Sequence, residues 1–395
     1  MEIWTLFVDF VLISGMSILG LIVIFLIKSK STLSKKLLIV FFASAIFFLL
    51  YYYGFLHKIR SIGAVAIFFG HGSGYLLGPF LLFYLKSLIA PRDEIVPSLF
   101  YHLIPFYIVF IFISIPLSLR LGFRFFTEYI SHYDVLADYF NLLENIYFFI
   151  YVLITYKLLI KIKNSLKSNF SNIEKNDLAW FEYLLFGLAF IILLDSLFSV
   201  YELYFPVAQW NIGTIIAFLF VVLYVFLGYK GMFQSSILLP DFLRDYINEN
   251  QIKIELPAQE QNENKSDNVK QLDSLSLTEI NQMKTKLNFL LNDKKVYLND
   301  SLNLTDLAEE MGINNKKLSE LLNQHVNTSF YNLINDYRVI EVKKRIESPE
   351  NDKFTLLGIA FESGFQSKAS FNRVFKNKTG MSPSKYRSAL LKERR

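Results

Sequence analysis

The sequence predicts an all-α protein: a seven-helix transmembrane bundle, a flexible linker and a cytoplasmic domain with two helix-turn-helix units. Three observations lead there. Seven apolar runs fill the first 230 residues. Charge is scarce before residue 230 and dense after 240, so the 19% charged residues of the whole chain are unevenly spent, against about 25% in ordinary soluble proteins. The last hundred residues keep helical spacing throughout, with no alternating strand pattern. The corresponding regions are 1–230 for the bundle, 231–295 for the linker and 296–395 for the C-terminal domain.

The apolar runs lie roughly at 4–27, 37–56, 62–85, 99–119, 138–160, 178–200 and 211–229. Each approaches the ~20 residues a helix needs to cross a ~30 Å hydrocarbon core. The first is expected to be a span rather than a cleavable signal, because its flank "MEIW" is acidic and no small-residue cleavage site follows. Loops after spans one, three and five hold Lys28, Lys30, Lys35, Lys36, Lys86, Arg92, Lys161, Lys163, Lys167 and Lys175. Loops after spans two, four and six hold only Lys58, Arg60, Arg120 and Arg124. Basic loops stay inside, so the N-terminus is expected outside and the C-terminus in the cytoplasm.

Span three contains "GHGSGYLLGP". It is a poor match to an intramembrane serine protease or an esterase elbow. Gly70, Gly74 and Gly78 recur every fourth residue, which on one helix face would let a neighbour approach closely, and Pro79 is expected to bend the helix. Four ionisable residues fall inside spans: Asp9, His71, Glu144 and Asp195. Asp195, in "FIILLDSLFSV", is the best placed of these. A carboxyl at that depth must pair, protonate or face a wet cavity, so it is either a sensor or an interhelical hydrogen bond to His71 or a Tyr. The one long outer segment, 120–140, is a candidate lid.

After the spans, residues 257–273 are rich in Gln, Asn, Glu and Asp and lack bulky side chains, the composition of a flexible tether. From 277 to 291 helical spacing resumes, with Leu277, Ile280, Met283, Leu287, Leu290 and Leu291 on one stripe. The stripe either packs on the C-terminal domain, which its short length favours, or pairs with another chain.

Two later stretches look alike: "LTDLAEEMGINNKKLSELLNQH" (304–325) and "LLGIAFESGFQSKASFNRVFKNKTG" (356–380). In each, a short helix carries an inner Ala (Ala308, Ala360). A Gly able to make a left-handed turn follows (Gly312, Gly364), and then a second helix with core positions Leu318, Leu321 and Leu322, or Phe371, Val374 and Phe375. That is helix-turn-helix spacing, twice. The amphipathic run 330–346 joins the two.

Residues about 296–390 resemble the DNA-binding domain of the AraC/XylS family of bacterial transcription regulators. The likeness rests on "IAFESGFQSKASFNRVFKNKTGMSPSKYR", including Gly364–Phe365, Phe371, Phe375–Lys376, Gly380, Pro383 and Tyr386–Arg387. The membrane half, with "LLGPFLLFYLKSL" and "YHLIPF", is similar to the seven-span region of membrane-bound members of that family. The resemblance implies double-stranded DNA as partner, with the second helix of each unit in successive major grooves. Carried over by position, the base-reading residues are Asn315, Lys316, Ser319 and Glu320 in one unit, and Lys368, Ser370, Asn372 and Arg373 in the other. Arg or Lys can address guanine, Asn adenine, and Glu cytosine. Lys376, Lys378, Lys385 and Arg387 are expected to hold phosphates. The charge is unequal: 296–352 holds 6 Lys and Arg against 10 Asp and Glu, and 353–395 holds 10 against 2.

The absence of cysteine excludes disulfides, thiolate metal sites and a cysteine nucleophile. No catalytic residue, metal ligand or cofactor is expected, and no kinase or nucleotide-binding motif separates the two halves. The alternatives are an intramembrane transporter or enzyme with an autoregulatory DNA-binding tail, and a latent factor freed by proteolysis of the linker. No repeated halves or broken-helix pairs in the sequence mark a transporter. A small-molecule or membrane signal and a homodimeric state stay open.

Overall fold

The computed structural model describes residues 2–28, 32–90, 92–171, 178–205, 212–233 and 277–393, all but a few loop residues of them helical. The expected tether at 257–273 lies outside them. The chain divides into two compact units, Met1–Ile160 with Leu178–Ile254, and Lys161–Asp177 with Glu255–Arg395.

The first unit is built from α1 (Glu2–Lys28), α2 (Leu33–Leu56), α3 (Arg60–Gly70), α4 (Gly74–Ser87), α5 (Arg92–His102), α6 (Ile104–Val109), a π turn (Phe110–Ser114), α7 (Ile115–Phe123), most of α8 (Thr127–Asn169), α9 (Ala179–Tyr204) and α10 (Ile212–Phe233). Helix α1 packs on α2 and α10, α10 on α9, α2 on α3 and α4, and α3 on α7. In α1 the buried Val8, Leu12, Leu19 and Leu26 follow the spacing of one helix face, while Trp4, Leu6, Phe10 and Leu21 are exposed. Large apolar side chains turned outward all round a bundle suit a hydrocarbon solvent, because water would penalise them.

Among the described residues, five helices are long and apolar enough to cross a membrane, Trp4–Lys28, Leu33–Leu56, Ile104–Phe123, Tyr139–Asn169 and Ala179–Tyr201, and the pair α3–α4 makes a sixth if counted as one span. The expected seventh falls within α10, whose described apolar stretch Ile215–Leu227 is shorter than a span. Among the described residues the count is therefore five or six, one or two short of seven.

Three finer expectations need correction. Span three is broken, with α3 and α4 bent by 43°. The break falls at His71–Ser73, where Gly72 takes φ +70°, several residues before Pro79. Consequently Gly70 is set apart and faces Phe47 of α2, while Gly74 and Gly78 share one face of α4, against Glu144 and Tyr151 of α8. The segment 120–140 is not a lid loop, since α8 already begins at Thr127 and runs for 43 residues.

The second unit contains α11 (Leu277–Asn292), α12 (Leu304–Met311), α13 (Asn315–Glu320) continued by a π turn (Leu321–His325), α14 (Phe330–Glu347), α15 (Leu356–Glu362), α16 (Lys368–Thr379) and α17 (Pro383–Glu393). Two hydrophobic cores hold it. The first gathers Ile280, Leu287, Leu290 and Leu291 of α11 with α12, α13 and the start of α14. The stripe at 277–291 thus packs on the C-terminal domain, and this compact unit begins before residue 296. The second core gathers the later half of α14, through Val339, Val342 and Ile346, with α15 and α16. One helix therefore serves both cores, its first turns one and its last turns the other.

Candidate nucleic-acid interface

Each helix pair is fixed locally before it is packed. Asn303 caps α12 in a reciprocal box with Asp306, at 3.0 Å in both directions. Asn314 caps α13, Thr355 caps α15 and Ser367 caps α16, each accepting a backbone N–H of the first turn. Such caps satisfy N–H groups that a helix start would otherwise leave unpaired. The inter-helix turns use Gly312 at φ +67° and Gly364 at φ +89°. Ala308 and Ala360 are fully buried, as are Leu318, Leu321, Leu322, Phe371, Val374 and Phe375. The small alanines let the second helix of each pair cross the first closely.

What remains outside is the candidate surface. On α16, Lys368, Asn372 and Lys376 are exposed and Arg373 is half-buried. On α13, Lys316 and Lys317 are exposed. Residues 307–389 match a family profile described as a helix-turn-helix domain. The chain is 30% identical over 107 residues to uncharacterized HTH-type transcriptional regulators of Staphylococcus aureus strains COL and MSSA476. Those matches cover 25% of this chain and 14% of each relative, so the chain spans about one seventh of the length of the relatives it matches. No solved structure matches.

Residues 307–389 form an AraC-type helix-turn-helix domain. Within the AraC-type domain, several residues expected at DNA are occupied elsewhere. Ser370 is 2% exposed, sealed under the first turn of α16, and cannot present its hydroxyl to a base edge. Asn315 donates to Thr305 Oγ1 at 2.9 Å, and Ser319 accepts from Asn323 at 3.3 Å. Glu320 is half-buried with one carboxylate oxygen shielded from solvent. Lys378 is paired with Asp336. Arg387 donates to the carbonyls of Phe354 and Asp352 at 2.8 and 2.7 Å, which ties α17 to the loop before α15. Ser370 and Arg387 therefore read first as structural residues. Lys385 is exposed beside them.

Sequence reasoning missed the most buried charge in the domain. Arg338, 1% exposed, sits on α14 between the two cores. Its Nε donates to Tyr297 O and its Nη2 to Asn299 O, both at 2.8 Å. Burial pushes its guanidinium down to about 10. The signal was available: Ile334, Arg338 and Val342 follow at four-residue spacing, which places a charge in the apolar register of the helix. One turn on, Glu341 lies under Lys295 and Arg345 at 3.2 and 3.0 Å. Burial alone would raise its carboxyl, but hydrogen bonds from Arg345 and Lys295 outweigh that and hold it below the usual carboxylate range.

In the first unit the four ionisable candidates do not form one cluster. Asp9 shares a 2.7 Å hydrogen bond with His57, linking α1 to the end of α2. His71 Nδ1 meets Ser114 Oγ at 2.9 Å, at the break and at the π turn. Glu144 accepts from the Gly74 N–H, the first amide of α4. Asp195 accepts from Asn145 Nδ2 at 2.9 Å, not from His71 or a Tyr. Glu144 and Asn145 are adjacent on α8, so this helix ties both carboxylates.

Proposed function

We propose that the chain is a one-component, membrane-tethered transcription regulator. The bundle senses a small-molecule or membrane signal, and the AraC-type domain binds promoter DNA sequence-specifically. The observation that carries the reading is the juxtaposition in one chain of helices long and apolar enough to span a bilayer with a helix-turn-helix domain that keeps its cationic second helix outward. Lys368, Asn372 and Arg373 are proposed to read bases in one groove, and Asn315, Lys316, Ser319 and Glu320 in the next. Lys376, Lys378 and Lys385 are proposed to hold phosphates, Lys378 once it leaves Asp336. The N-terminus lies outside a bacterial inner membrane and the domain in the cytoplasm. Asp195 remains the first candidate for signal input, through its bond to Asn145.

Chromatin precipitation with the full-length tagged protein, done alongside membrane fractionation, tests this. Discrete promoter fragments should be enriched while the protein sediments with membranes. Enrichment carried only by a soluble fragment would mean release by proteolysis, and no enrichment would sink the reading.

The broken span favours one rival. Transporters use the N-terminus of a half-helix to meet an anionic group of the substrate at midplane sites, and the N-terminus of α4 here meets the chain's own Glu144 carboxylate. Solute accumulation in vesicles that contain the purified protein would support that rival.

A further inference from the structure

The second unit includes a piece of chain far from the C-terminal domain in sequence. Residues Lys161–Asp177 belong to it, beginning with the last turns of α8. Where α8 ends, Phe170 pairs with Asn303 in an isolated antiparallel bridge. Ser171 follows, 2% exposed. Its hydroxyl donates to Leu302 O at 2.6 Å and accepts from Arg338 Nη2 at 3.3 Å. Its carbonyl accepts from Asn335 Nδ2 at 2.9 Å. One short residue thus fills three hydrogen-bonding positions among buried groups.

Those groups stand where the two helix-turn-helix units meet. Asn335 and Arg338 lie on the stretch of α14 that passes from the first core to the second. Arg338 reaches the loop before α12 through Tyr297 and Asn299, and lies against Gly364, the turn residue of the second unit. Asn303, opposite Phe170, is the cap of α12. The junction that sets the spacing of α13 and α16 is therefore completed by a residue delivered from the end of α8.

We propose that Phe170–Ser171 is a plug that couples α8 to DNA binding. This rests on the regulator reading above. Docked, the plug completes the hydrogen bonds of the junction and holds the two reading helices at the spacing that successive grooves require. Withdrawn, it leaves Leu302 O without its hydroxyl donor, Arg338 Nη2 with Asn299 O alone and Asn335 Nδ2 with Tyr331 O alone. Buried polar groups left unpaired are costly, so the junction shifts or admits water and the spacing loosens. Because α8 is continuous from Thr127, a displacement along it arrives at the plug. The coupling is reciprocal: operator DNA must favour the docked plug to the same degree.

The test uses the full-length protein in lipid nanodiscs, with an operator duplex that the wild type selects from a random-sequence pool. Ser171→Ala and the bulkier Ser171→Trp should weaken operator binding within the ~5–150-fold range of ordinary site coupling, the Trp variant more. Binding to random duplexes should change little, since phosphate contacts are untouched. A second variant tests docking itself and guards against misfolding. Opposed residues of an antiparallel pair have α-carbons ~4.5–5.5 Å apart, within the reach of a disulfide. The chain has no cysteine of its own, so within one chain Phe170→Cys with Asn303→Cys can form only that bond, and non-reducing gels separate it from bonds between chains. The bond within the chain should form in membranes without reductant and, compared with its own reduced form, which already lacks the Asn303 cap, strengthen operator binding and protect it against Ser171→Ala. Operator affinity unchanged or raised by both Ser171 variants overturns the plug, as does failure of the disulfide to form in protein that binds operator. If the wild type selects no sequence at all, the regulator reading falls, and the plug with it.

Discussion

Gly364 rests against the Arg338 guanidinium: a Cβ at this glycine would stand 2.8 Å from Arg338 Nε and would overlap the Tyr297 carbonyl. Its φ of +89° is also closed to ordinary side chains. Gly312 occupies the equivalent turn of the first helix-turn-helix pair at φ +67°, but a Cβ there would meet only Lys286 Nζ, at 3.7 Å. Gly312→Ala should therefore cost the left-handed penalty of about 1–2 kcal/mol. Gly364→Ala should add overpacking of about 1–3 kcal/mol to that. Denaturant unfolding of the C-terminal unit in the detergent-solubilised protein reads both, and equal costs would mean the contact with Arg338 gives way freely.

Glu341 predicts an acid-sensitive hinge. Its folded carboxyl is held down by Arg345 and Lys295, so its stabilisation is complete above the unfolded value of about 4.3 and is lost as pH falls through the lower folded value. Glu341→Gln should cost about 1–3 kcal/mol near neutral pH, the worth of charge-assisted hydrogen bonds, and nothing at a pH below both values. A pH-independent loss would show that packing rather than charge is at stake.

Basic residues of the second unit should separate by what they already hold. Lys376, exposed on α16, should act on phosphate: Lys376→Ala should flatten the slope of log affinity against log salt by about 1 and weaken all duplexes alike. Arg387, bonded to three backbone carbonyls, should act on folding: Arg387→Ala should lower the melting temperature more than it alters the salt slope. Salt titrations with both variants decide it, and a slope change confined to Arg387→Ala would reverse the assignment.

Arg373 should carry sequence preference. Arg373→Ala should cost roughly 1–3 kcal/mol on the operator and relax one or two base pairs, while leaving random DNA nearly unchanged. Equal loss on operator and random duplexes would reassign it to the backbone.

Topology follows from the loop charges. Reporter fusions after Lys36 and after Lys230 should both read cytoplasmic. A periplasmic signal after Lys230 alone would fit a bundle with six spans, which the short apolar stretch Ile215–Leu227 makes a real outcome.

Read from the sequence alone, the helices, both glycine turns, the inner alanines and the core of the DNA-binding domain were already legible, because they depend on local spacing. An apolar position recurring every third or fourth residue and a Gly between two such runs act over a turn or two, and the chain cannot hide them. The division between an apolar half and a charged half was equally plain, since solvent preference is carried by composition. Tertiary structure decided what long-range pairing decides. It broke span three at His71–Ser73, took Ser370 and Arg387 into structural roles, and gave Asp195 to Asn145 rather than to His71. Above all it brought Ser171 to Asn335 and Arg338, partners more than 160 residues away. A serine in a basic loop and an arginine in an apolar register each have many possible partners. Only the packed chain, which must satisfy every buried donor and acceptor at once, selects one.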